Sequence, residues 1–354
     1  MGLKHRGVVY AMQSACLLPL VLAVPLPSTQ IQRAQSSHTP HNSWKALSPI
    51  TVEPRQEHGV AAVGEDVYIL GGITTYNPAA AALPSLPIAQ AYSTCRDEWR
   101  RIADIPIPIN HGNVASVNGK LYLVGALTGN TTWTNPPINY VYAPETDAWT
   151  ALPAMPAGTA RGASAVGRWR DTVLVAGGLT GQIPTVGSQP TVGFVSAFNT
   201  TSGAWAALPD LPEPRDHAGG AVVDDVFYVV GGRLNSTTEV RGTVFALDLL
   251  AAEKTWVSRE ARMPTPRGGL SAAAVGSRIY TFGGEGVISA ELPEGVYDNV
   301  EVYDTRKDAW EVLPPMAHAR HGTGAAVVGG KIYIPGGANH TIVGAVVTND
   351  VFYP

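Results

Sequence analysis

The chain has 354 residues and a formal net charge of −4, and charged residues make up only 15% of it, against about 25% in an ordinary soluble protein. No Lys/Arg-rich run offers a footprint for phosphate backbones, so nucleic acid is excluded as an expected partner. A chain of this length usually splits, because single cores stop growing near roughly 250–300 residues. The 38 Gly and 28 Pro point instead to many short strands and turns, and a repeat architecture escapes the size limit.

At the N-terminus, Lys4 and Arg6 precede an apolar stretch from Val8 to Val24 that ends on the small-residue pattern Val21-Leu22-Ala23. This predicts a signal peptide over residues 1–23, cleaved after Ala23, and hence a secreted protein with no membrane attachment afterwards. Gln13, Pro19, Pro25 and Pro27 interrupt a stretch already short for a membrane span. Residues 24–43, rich in Ser and Pro, read as a disordered lead-in. Four acceptor sequons, at Asn130, Asn199, Asn235 and Asn339, suit the secretory route, and three of them (Asn130, Asn235, Asn339) fall at equivalent places in separate repeats. Cleavage removes Cys16 and leaves Cys95 as the remaining thiol, so no intramolecular disulfide is expected.

From Trp44 onward the chain is periodic. An apolar strand ending in a glycine pair recurs at Gly71-Gly72, Gly177-Gly178, Gly231-Gly232, Gly283-Gly284 and Gly336-Gly337, with Gly125-Ala126 in the remaining slot, at intervals of 54, 52, 54, 52 and 53 residues. Trp44, Trp99, Trp149, Trp205, Trp256 and Trp310 recur with the same period. Between these landmarks the apolar pattern alternates with period two, and Asn118-Gly119 and Gly329-Gly330 are tight-hairpin signals. Units of this length and strand content predict an all-β, six-bladed β-propeller over residues 44–354, four antiparallel strands to a blade. The segment opens on one outer strand, Trp44 to Leu47, and stops on a third strand ending at Tyr353. Pairing them would complete the last blade and remove the open edge.

His321-Gly322, Gly329-Gly330, Tyr333 and Gly336-Gly337 in the last unit, with Tyr303-Asp304 and Trp310 in the unit before, resemble the Kelch repeat, and the resemblance covers nearly the whole periodic region. It implies that connections entering the innermost strands share a face with the loops after the glycine pairs. Entering the inner strands are Arg55, Asn110, Arg161, Arg215, Arg267 and Arg320, five guanidiniums and an amide that would attract an anion; a scaffold role bonding loop carbonyls is the alternative. Arg233 and Glu285 follow glycine pairs where other units carry Ile73, Leu127, Leu179 and Ala338, and this departure from the repeat makes them the expected catalytic pair. Tyr76, Trp133 and Tyr297 could wall a pocket. His58, His111, His217 and His321 lie nearby, but repeat-equivalent residues on different blades are expected to point from separated walls. They are read as structural His-Gly turns, with no metal and no cofactor.

The propeller also resembles the fungal copper oxidases of galactose and glyoxal, but the required Tyr-His pair is missing. It resembles the iron-dependent specifier proteins through Glu294-x-x-x-Asp298, whose third position is Val302. No nucleophile elbow or phosphate loop is present. Two functions remain. The first is a cofactor-free isomerase or cyclase acting on a small anionic or enolisable molecule, similar to Kelch sialate mutarotases or secreted fungal secondary-metabolite cyclases. The second is a non-catalytic module gripping an acidic peptide or glycan. Either is expected to be a monomer.

Overall fold

The computed structural model describes residues 41–74, 82–183 and 189–354. The segment read as a signal peptide, the expected lead-in as far as residue 40, and Tyr76 lie outside the described residues. The rest form six four-stranded antiparallel sheets, a short extra hairpin and no helix.

The first blade runs outward through Gly59–Val63, Asp66–Leu70, Ala89–Ser93 and Glu98–Arg101, and the same meander follows four times in chain order. The sixth blade holds Ala326–Val328, Lys331–Pro335 and Asn349–Tyr353, and its outermost strand is Ser43–Ala46 from the other end of the chain, with Trp44 opposite Phe352. The ring therefore closes as expected, and the third strand of the last blade is paired on both sides. Asn118-Gly119 and Gly329-Gly330 turn with positive φ at both residues, the geometry that two-residue hairpins need.

Alternation along each strand places apolar side chains between neighbouring blades, so the core is six inter-blade layers rather than one centre. One layer joins Val67 and Tyr92 of the first blade to Ala326, Tyr333 and Val351 of the sixth. The periodic Trp residues fasten these layers from outside. Trp99, Trp149 and Trp256 donate their indole N–H to the Ser48, Ala103 and Pro209 carbonyls of the preceding blade at 2.8–2.9 Å. Each also packs against an aromatic ring beside it, as Trp149 does on Tyr142 at 5.1 Å.

Candidate functional site: a Glu–His centre on the propeller axis

Where each chain segment enters an inner strand, three consecutive residues form three successive rings. The first contains the arginines. Arg55, Arg161, Arg215, Arg267 and Arg320 are each at most 1% exposed, and their guanidiniums serve their own blades. Arg161 donates to the Thr159, Val175 and Gly177 carbonyls at 2.6–2.9 Å. Arg55 donates to the Ile88 carbonyl at 2.7 Å and to the Gln90 amide oxygen. Arg215 meets Glu213 and Thr243 at 2.7 and 2.6 Å, Arg267 meets the fully buried Glu301 at 2.6 Å, and Arg320 meets Asp350 at 2.7 Å. Burial pulls Arg55 and Arg161 down to about 9 and about 10, still far enough above neutrality to keep both charged. None of the five lines the axial cavity, so the structure places them in the blade walls and not around a ligand.

Asn110 is not the sixth member of this ring. Gly72 N donates to the Ile109 carbonyl just as Gly178, Gly232, Gly284 and Gly337 N donate to those of Arg215, Arg267, Arg320 and Arg55, so Ile109 fills the slot. Asn110 belongs to the second ring with Gln56, Gly162, Asp216, Gly268 and His321, whose members bridge to Leu127, Ile73, Leu179, Arg233, Glu285 and Ala338 respectively. That pairing brings the two residues that depart from the repeat together. Arg233 ion-pairs with Glu285 and donates from Nε to Asp216 at 3.2 Å, and all three are buried.

The third ring surrounds the axis and consists of Glu57, His111, Ala163, His217, Gly269 and Gly322. Each amide bonds to the carbonyl of the ring member one blade back, at 2.6–3.0 Å, and Glu57 N closes the circle on Gly322 O. All six have positive φ, including Glu57 at 53°, His111 at 49° and His217 at 51°. Left-handed backbone costs a non-glycine residue roughly 1–2 kcal/mol, and Ala163 at 54° bears that cost as well, so the conformation belongs to the hydrogen-bonded ring as a whole.

The side chains converge. Glu57 Oε2 lies 3.2 Å from His111 Nε2 and 3.9 Å from His217 Nε2. His321, from the second ring, brings Nδ1 within 3.7 Å of Glu57 and 3.4 Å of Glu285. The expectation of separated walls therefore fails for these residues, because the inner ring is narrow enough for imidazoles on three blades to meet one carboxylate. His58 does not join them: it faces the Pro335 carbonyl at 2.9 Å, and burial, with Arg55 acting the same way, pulls it down to about 3.

Each converging imidazole is anchored through its far nitrogen. His217 Nδ1 bonds Asp216 at 2.6 Å, and Asp216 also accepts from Thr191. His111 Nδ1 meets Asn110 Oδ1 at 2.5 Å, while the same amide donates from Nδ2 to Ser85 Oγ at 2.8 Å and Ser85 donates onward to the Gly129 carbonyl. His321 Nε2 donates to the His340 carbonyl at 2.9 Å. In all three rings the anchored nitrogen must carry a proton, because its partner can only accept, and the second nitrogen of each ring is turned toward Glu57. Burial pushes the Glu57 carboxyl up, but the three histidines opposite outweigh it and hold the group below the usual carboxylate range. Burial is likewise outweighed at Asp216 by His217 and Arg233, and at Glu285 by His321, Arg233 and Thr341. Arg233 stays protonated, since Glu285 and Asp216 overcome its burial, whereas burial pulls His111 down to about 4 and keeps it neutral.

Beneath Glu57, His111 and His217 the inner strands wall a cavity of about 200 Å³, lined by small residues that include Gly112, Ser164, Gly219 and Gly220. Above, the loop after the sixth glycine pair is tied down: Thr341 donates to Glu285 at 2.7 Å and Gln56 exchanges bonds with Ile342 and Gly344. Trp133 is buried with its ring 5.2 Å from that of His111, and Tyr297 is half-buried beside Gly286. Glu294 instead faces outward beside His340, far in character from the buried Val302. Of the sequons, Asn130, Asn235 and Asn339 are exposed, while the half-buried Asn199 side chain accepts from the Thr201 and Ser202 amides.

Residues 164–353 match the KLHDC2/KLHL20/DRC7 Kelch-repeats domain and residues 54–106 the Kelch motif. The chain belongs to the Kelch-repeat family. It is 37% identical over 311 residues to the Kelch-like protein terF of Aspergillus terreus, covering 86% of this chain and 66% of that protein. It is also 30% identical over 152 residues to N-acetylneuraminate epimerase of Escherichia coli O1:K1 / APEC, 42% of this Kelch chain and 38% of the epimerase. The solved structure of YjhT matches with a TM-score of 0.69 at 17% identity, over 86% of this chain and 95% of that one, which establishes a shared propeller fold.

Proposed function

We propose that this Kelch propeller is a secreted, N-glycosylated and monomeric enzyme of the isomerase or cyclase type, acting on a small enolisable molecule held in the axial cavity. The observation that carries the reading is the cluster of the part-buried Glu57 with the buried His111 and His217 at the head of that cavity and His321 beside them, three imidazole nitrogens and one carboxylate within reach of one another. Moving a proton between carbons needs a group to accept it and a polar environment to stabilise the enolate oxygen, and such a cluster supplies both. The partial relationship to a sialate epimerase supports a reaction of this class. An anionic ligand is less well served than expected, because the guanidinium in the centre among the described residues, that of Arg233, already lies between Asp216 and Glu285. The acidic-peptide reading weakens for the same reason.

Glu57→Gln keeps the shape of the side chain and removes its charge, and is expected to lower kcat/KM by about 10²- to 10⁴-fold on the substrate once found. Thermal stability should stay within a few degrees of wild type. A variant with full turnover would remove the centre from catalysis. Glycosidase treatment of protein secreted by a eukaryotic host should lower its mass through Asn130, Asn235 and Asn339, and an unchanged mass with an intact N-terminus would overturn the secretory reading.

A further inference from the structure

Three imidazole nitrogens converge on one carboxylate at the axis. His111 Nε2, His217 Nε2 and His321 Nδ1 lie 3.2, 3.9 and 3.7 Å from the Glu57 oxygens, while the far nitrogen of each ring is already engaged by its anchor. His321 is 1% exposed, yet its Nδ1 has no hydrogen-bond partner among the described residues. A buried ring nitrogen left without a hydrogen bond is costly, and an ion shared with the neighbouring carboxylate would relieve that cost.

We infer that Glu57, His111 and His217 bind one divalent first-row transition ion, with His321 beside it. The three ligand atoms lie within 4.8 Å of one another, a spacing that a shared ion would draw in to bonds of about 2.0–2.2 Å. Two imidazoles and a carboxylate are a donor set for zinc or iron(II), and the lack of thiolate and of a many-oxygen cage disfavours copper(I) and calcium. The outer contacts fit as well. Ligating histidines characteristically donate their second N–H to a carboxylate or carbonyl, which fixes tautomer and orientation; Asp216 serves His217 in this way and Asn110 serves His111. This inference deepens the proposed enzymatic reading, since the ion would polarise a substrate oxygen and leave His321 and Glu285 for proton transfer.

The test is metal binding by the full-length protein, which needs no substrate. After chelation and dialysis, Zn²⁺ followed by calorimetry and Co²⁺ followed by its visible absorption should each bind with one equivalent per chain and raise the melting temperature. His217→Ala should weaken binding at least about a hundredfold, and Asp216→Asn, which keeps every ligand, by about ten- to a hundredfold. Arg161→Ala, outside the centre, serves as the control for general destabilisation and should bind normally wherever it remains folded. No saturable binding in the folded wild type, or equal affinity in His217→Ala, would overturn the inference. A chain that turns over substrate without metal would remove the ion while leaving the enzyme reading intact; a chain that binds the ion yet keeps full turnover as Glu57→Gln would leave the ion in place and remove this centre from catalysis.

Discussion

The ring of arginines and the ring containing Glu57 lie two residues apart in every repeat, and they behave in opposite ways. The first holds the same residue in five of six blades, and each guanidinium bonds carbonyls and side chains of its own blade. The second holds Glu, His, Ala, His, Gly and Gly, and its side chains face the axis. Repetition marks what every blade needs for itself. What a single centre needs is asymmetric, so it is found where the repeat breaks down.

Arg267→Ala tests that division most severely. It strands the fully buried Glu301, and breaking a buried ion pair by removing one partner costs roughly 3–5 kcal/mol. The melting temperature should fall by about 10 °C, while molecules that remain folded keep the activity and metal affinity of wild type. A stable variant with a damaged centre would erase the distinction between the rings.

Gly322→Ala and Gly269→Ala separate strain from site. Both glycines have φ of +63°, so both substitutions carry a similar backbone cost of roughly 1–2 kcal/mol. A Cβ on Gly322 would stand 2.5 Å from Glu57 Oε1, whereas one on Gly269 meets nothing nearer than 3.4 Å. The expectation is matched losses of a few degrees in melting temperature, with turnover and metal affinity falling at least tenfold only in Gly322→Ala. Equal affinities would mean that Glu57 does not need its present position.

The smallest expected effect belongs to the periphery. Asp147 accepts from the Ala103 amide at 2.8 Å and the Tyr142 hydroxyl at 2.7 Å, and these bonds, the amide first, hold its carboxyl below the usual range. A depressed carboxylate stabilises the fold above its unfolded value of about 3.9 and loses that contribution as pH falls through the folded one. Asp147→Asn should lower the melting temperature by about 2 °C or less at neutral pH, because the group is exposed and screened. Near pH 3 the difference should shrink; a deficit that grows on acidification would contradict the assignment.

The fold was legible because its landmarks repeat: glycine pairs, outer tryptophans and the split last blade all stand in the sequence at the positions they occupy in space. The centre was legible in part. Arg233 and Glu285 stood out as departures and are joined in the structure. Asn110 took the place of Ile109 as the counterpart of Arg55, a slip of one residue, since an amide resembles a guanidinium more than an isoleucine does. That slip hid the alignment of Glu57 with His111 and His217, which identical spacing from Ile109, Arg55 and Arg215 would have revealed. Nothing in the sequence tells how narrow the inner ring is, and its width decides whether three imidazoles on separate blades can touch.

The closed circle of amide bonds also orders events in time. Glu57 belongs to the first blade, yet its N–H is satisfied by Gly322 in the last, and His321 arrives with the same late segment. A chain emerging from the ribosome holds Glu57 and His111 long before the residues that complete their surroundings exist. No partial product can therefore close the ring around Glu57, and the arrangement at the axis exists only in a molecule that has finished folding.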